Sequence, residues 1–107
     1  MGVVVQVIKE PDGDRHVWFH VDPGFESLLN PENHFQGKPA MLAEITPDCP
    51  LSTNPRTADE AARCPATTME IPGPGDRIDI YGPWVTDLDH GWNEIHPVES
   101  MVISDAG

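Results

Sequence analysis

A chain of 107 residues makes one domain with a single modest core. Six basic and eighteen acidic residues leave a net charge of −12. That field repels nucleic acid and favours a cation, a basic partner or a neutral ligand. No run of eighteen apolar residues is present to span a membrane, and nine Gly with twelve Pro favour turns and short strands over long helices.

Met1 to Ile8 lacks the basic start and small-residue cleavage site of a signal peptide. This favours a cytoplasmic location and leaves secretion open if a leader has been removed. Val3 to Ile8 is β-branched and predicts a first strand. Pro11-Asp-Gly-Asp14 is turn chemistry. His16 to Val21 then alternates, with Val17, Phe19 and Val21 on one face and His16, Trp18 and His20 on the other. A short helical turn is expected around Phe25 to Leu29. Pro39 to Thr46 predicts a third strand, with Met41, Ala43 and Ile45 inward and Leu42 and Glu44 outward. Thr57-Ala-Asp-Glu60 has the form of a capping box and predicts a short helix to Arg63. Arg77 to Tyr81 is a fourth strand, broken at Gly82-Pro83 and continued by Trp84 to Thr86. Asp89-His-Gly91 turns into a fifth strand, Trp92 to His96, where Trp92, Glu94 and His96 share one face. Val98 to Ser104 is a last extended piece.

Three strands, a short helix and two strands is the order of an all-β, five-stranded OB-type Greek-key barrel, with the helix between strands 3 and 4. The whole chain, 1–107, is then one barrel domain. Cys49 and Cys64 lie fifteen apart. A disulfide there would contribute about 3 kcal/mol, and reduced thiols are the expectation in a cytoplasm; both states stay open.

Three marks carry a resemblance. They are Asp12-Gly13-Asp14-Arg15-His16, then Ala43-Glu44-Ile45-Thr46-Pro47-Asp48-Cys49, and Asp87 through His90-Gly91-Trp92 to Glu94-Ile95-His96-Pro97-Val98. In this order they resemble an uncharacterised small bacterial β-barrel family with DGDxH, AEIPxxC and DxxHGWxEIHPV motifs. The resemblance spans most of the chain and implies a small β-barrel; it implies no activity.

With strand two beside three and three beside five, alternation sends His16, Trp18, His20, Glu44, Trp92, Glu94 and His96 to one outer face. Glu44 and Glu94 would lie on adjacent strands, where like charges destabilise the sheet unless imidazolium or a cation offsets them. Imidazole with carboxylate is also a donor set suited to zinc and similar divalent ions. The expected metal ligands are His16, Glu44, Glu94 and His96. Trp18, Trp92, Asp87 and His90 are the expected ligand-binding residues around them. A calcium site of Asp12, Asp14 and Asp87 lacks the full EF-hand loop. Cys49, Ser52 and Ser100 have no supporting nucleophile motif.

Three functions remain open: a binding module for a metal ion or small polar ligand, a metal-dependent hydrolase or nuclease on the same face, and a structural or protein-interaction domain without a ligand. In the last, Asp87 caps the Asp89-Gly91 turn and the histidines serve a polar network. Whether the protein is an enzyme, and its oligomeric state, stay open.

Overall fold

The computed structural model describes residues 1–11, 13–47 and 69–104. β1 (Gly2–Lys9) and β2 (Arg15–Val21) form an antiparallel hairpin. Its turn passes through Gly13 at a φ of +93°, a left-handed conformation that glycine adopts without steric cost. The register slips between Val4 and Gln6. This bulge explains why Val4 and Val7, three apart, both reach the interior, while Val5 and Ile8 both pack on the outer side.

A single 3-10 turn, Glu26–Leu28, follows, inside the span where the sequence predicts a helical turn. Two short strands, β3 (His34–Phe35) and β4 (Lys38–Pro39), pair only with each other among the described residues. β5 (Met41–Ile45) then pairs antiparallel with β2 and parallel with β8 (Asn93–Ile95). β6 (Arg77–Tyr81) pairs with β1, β7 (Trp84–Thr86) with β8, and β9 (Ser100–Ser104) with β6. The sheet order is β7-β8-β5-β2-β1-β6-β9.

β6 and β7 stand almost at opposite ends of that order, yet only Gly82 and Pro83 separate them in the chain. They belong to one bent hairpin with β8 and β9. Tyr81 faces Ser100 and Trp84 faces Ile95, so two residues on one arm oppose four on the other. The excess bends the hairpin and curls the sheet toward closure. Gly82 sits at the bend. A Cβ there would fall against the Pro97 carbonyl oxygen and within 2.9 Å of Ile95 Cγ2.

The sheet therefore has seven strands where the sequence predicts five. Gly82 and Pro83 interrupt the ladder of the fourth strand, and the last extended piece pairs as β9. The predicted helix at 57–63, Asp12, Cys49 and Cys64 lie outside the described residues.

The interior holds Val4, Val17, Phe19, Met41, Ala43, Ile45, Ile78, Ile80, Ile95 and Val98, so the apolar set expected inward from β2 and β5 is buried except for Val21, which packs against the core partly buried. The outer face differs from expectation. Trp18 and Leu42, placed outward by alternation, are buried, and Ala40 joins them. The β3–β4 hairpin carries Phe35 to 5.3 Å from Trp18, and Trp92 meets Trp18 edge-on at 5.1 Å. Asn33 anchors this cover. Its buried side chain donates to the Asn93 carbonyl at 2.7 Å and accepts from the Asn93 N–H at 2.9 Å, as a neighbouring strand would. All five residues of β5 are consequently buried.

Gly82→Ala is expected to lower stability by about 1–3 kcal/mol, the range for forcing a methyl group into a filled position. A urea midpoint equal to that of the parent protein would show that the bend relaxes freely.

Candidate functional site

Cross-strand register assembles the site. β2 and β5 place His16 directly opposite Glu44. β5 and β8 pair Leu42 with Glu94 and Ala43 with Ile95; carried on by one residue, the register brings His96 level with Glu44. Partners across a ladder project to the same face. The result is one polar row, His16–Glu44–His96, beside a second row, Trp18–Leu42–Glu94.

The polar row is bonded throughout. His16 Nε2 lies 2.6 Å from Glu44 Oε1, and its Nδ1 lies 3.4 Å from Glu10 Oε1. His96 Nδ1 pairs with Glu44 Oε2 and lies 3.2 Å from Glu94 Oε1. Glu94 Oε2 accepts the indole N–H of Trp92 at 3.0 Å. The Trp92 ring stacks on His90 at 4.3 Å, 6° from parallel. His90 Nδ1 in turn reaches Asp87 Oδ2 at 2.8 Å, and Asp87 Oδ1 accepts the N–H groups of Asp89 and His90.

Charge follows from these contacts. Burial pushes the Glu44 carboxyl up, but the bonds from His16 and His96 outweigh it and hold its pKa at about 2. His96 is raised to about 9, chiefly by its bond to Glu44 and against the opposing effect of burial. His16 is raised for the same reason. Glu94 is raised, first by burial and then by the nearby Glu44 charge. At the rim, Asp87 raises His90. Asp87 itself is lowered, since its bonds from His90 and the turn amides overcome the effect of burial.

Among the described residues, Asp14, Glu44 and His96 form a metal-competent group, each offering one ligand atom, all within 4.8 Å of one another. Two of the four expected ligands, Glu44 and His96, belong to it. His16 and Glu94 stand outside, each in contact with a member. Asp14, weighed from the sequence only for a calcium site, is the residue that the expected His/Glu ligand set lacks. Its signal is its place two residues before His16, immediately ahead of β2, where the alternation extended by one residue gives it the same parity. Of the expected ligand-binding residues, Trp92 and His90 adjoin Glu94 as described. Asp87 caps the turn. Trp18 is buried against Phe35 and Trp92, and so presents no wall to solvent. Half-buried His20 lies on β2 opposite Val3 of β1, four residues along the strand from the His16–Glu44 pair.

Comparison with protein-family models, with curated proteins and with solved structures finds no match.

The shifts set a pH window. A raised His96 contributes stability that is complete below about pH 6.5 and lost as pH rises through about 9. A lowered Glu44 contributes stability that is complete above about pH 4.5 and lost as pH falls through about 2. The pair is one interaction, at full strength between pH 4.5 and 6.5. Glu44→Gln should cost about 1–2 kcal/mol at pH 6, a half-exposed version of breaking a buried pair. The gap between variant and parent should narrow toward pH 9. Urea unfolding at pH 6 and pH 9 measures it; a gap that does not change with pH contradicts the ionic account.

Proposed function

We propose that this chain is an OB-type barrel serving as a binding module for a divalent metal ion, held by Asp14, Glu44 and His96. His16 and Glu94 orient Glu44 and His96. The observation that carries this reading is the convergence of three donors from separate parts of the chain to within 4.8 Å.

Several features support it. β1 between β2 and β6, and β5 between β2 and a parallel β8, match an OB barrel in which β6–β7 count as one strand. Such barrels use the face of strands 2 and 3, with the loops after strands 1 and 4, for ligands. Here those are β2, β5, the turn at 10–14 and the turn at 87–92, and the polar rows lie among them. The net charge of −12 argues against the nucleic-acid ligands common to that fold. Two carboxylates and one neutral imidazole balance a divalent charge and suit zinc or a comparable ion. Carboxylate contacts to a ligating imidazole, and an indole N–H on Glu94, are the kind of outer support that fixes ligand orientation.

The proton is the competitor. With His96 at about 9, an ion at pH 7 must displace a proton bound about 100-fold in excess of the free form. Binding is therefore tighter at higher pH and releases protons. Turnover is less well supported. Among the described residues, an open cleft of about 690 Å³ beside the 3-10 turn is lined by Glu26, Leu29, Asn30, Pro31, Asn33, His34, Gly37 and Pro39 and shares no residue with the metal-competent group. A specific observation favours the structural reading as second choice: among the described residues, no buried side-chain nitrogen or oxygen lacks a hydrogen-bond partner. The row is thus complete as an ion network.

Zinc and manganese titrated into untagged protein at pH 8 should bind at one equivalent. At 100 times the dissociation constant, stability should rise by about 2.7 kcal/mol. Asp14→Asn and His96→Ala should each weaken binding about tenfold or more. An unchanged melting temperature with both ions, and no heat of binding, would leave the row as a purely structural network.

A further inference from the structure

We infer that the edge of β7 left unpaired among the described residues and the turn after it form a docking surface for an extended basic segment of a partner polypeptide. Every residue of β7 is exposed. Trp84 is 52% exposed, Val85 38% and Leu88 91%, so three of the large hydrophobic side chains open to solvent fall within five consecutive residues. β7 ends the sheet order, and β8 is its one strand partner among the described residues. Trp84 lies opposite Ile95 and Val85 opposite Glu94, so their side chains project to opposite faces. A strand added at this edge would meet an apolar side chain on each face, with backbone bonds between them.

The turn that carries Leu88 is held in shape. The Asp87 N–H donates to the Trp92 carbonyl at 2.9 Å, and the Gly91 N–H to the Asp87 carbonyl at 2.7 Å. Asp87 Oδ1 accepts two further N–H groups. Leu88 is therefore displayed by a preorganised turn, and a partner need not order that turn to cover it. Exposed edges are ordinarily blunted by lysine, proline or a bulge. Here Pro83 precedes the strand and no lysine lies on it.

Charge selects the occupant. Between positions 78 and 107 there is no Lys or Arg, against Asp79, Asp87, Asp89, Glu94, Glu99 and Asp105. Asp87 and Asp89 flank Leu88 directly. An acidic field beside apolar side chains is complementary to a strand that alternates basic and apolar residues. The same field, at −12 overall, opposes a second copy of this chain.

Three blocked ten-residue peptides serve as probes: alternating Lys-Val, alternating Lys-Ser and alternating Glu-Val. Binding is read by fluorescence anisotropy and by amide NMR of the labelled protein at pH 7 and low salt. Lys-Val should bind at least tenfold more tightly than Lys-Ser, with no binding by Glu-Val. Amide shifts should centre on 84–88, and hydrogen exchange there should slow. Leu88→Lys, at a position too exposed to affect folding, should weaken Lys-Val binding at least tenfold while leaving the urea midpoint in place. Trp84→Ala should weaken it too. Equal binding of Lys-Val and Lys-Ser would reduce the effect to bulk charge and overturn the proposal. So would shifts confined to residues around Glu44, or self-association through β7 in sedimentation.

Discussion

A carboxylate held between two imidazoles is the interaction on which the outer side of this sheet depends. Glu44 lies in the middle of a fully buried strand, where its charge is tolerated because His16 and His96 bond to its two oxygens. One histidine comes from the antiparallel neighbour and the other from the end of the parallel neighbour. The bonded triad thereby ties β2, β5 and the chain after β8 together at one level. The parallel pairing of β5 with β8 is short, two residue pairs by backbone register, and the triad reinforces it where the ladder ends. A Val98 N–H donating to the Glu44 carbonyl at 2.9 Å adds a backbone tie from the same residue.

The outer face divides into a dry half and a charged half. Trp18, Leu42 and Ala40 are sealed by Phe35 and Trp92, while Glu44, Glu94, His16 and His96 gather alongside. Trp92 forms the boundary: its ring packs on Trp18 and His90, and its N–H serves Glu94. Electrostatic contacts strengthen where water is excluded. The apolar lid therefore raises the cost of leaving any member of the row unpaired.

This arrangement makes the structural and metal-binding readings close relatives. Both set Glu44 beside positive charge at the His96 imidazole, as a proton in one case and as an ion in the other. The β7 edge is a separate matter. Its exposed residues project from the end of the sheet, and its attraction for a partner rests on apolar display and long-range charge instead of on the bonded row.

Much of this was legible in the sequence because strands impose a period of two. His16, Glu44, Glu94 and His96 could be assigned a common face from alternation alone, and Val17, Phe19, Met41, Ala43 and Ile45 a common interior. The parity of Asp14 could be read as well, but its convergence on Glu44 and His96 depends on how the 10–14 turn closes. The burial of Trp18 and Leu42 was hidden, because it requires Phe35 and the Asn33 clamp to fold back over β2 and β5 from a segment with no strand pattern. The bulge at Val5, which changes which valines face inward, leaves no mark in a run of β-branched residues. Which side chains can share a face follows from local backbone geometry, and so is readable from the order of residues. Which of them meet does not, because strand order, register and the bend at Gly82 arise from contacts between distant parts of the chain.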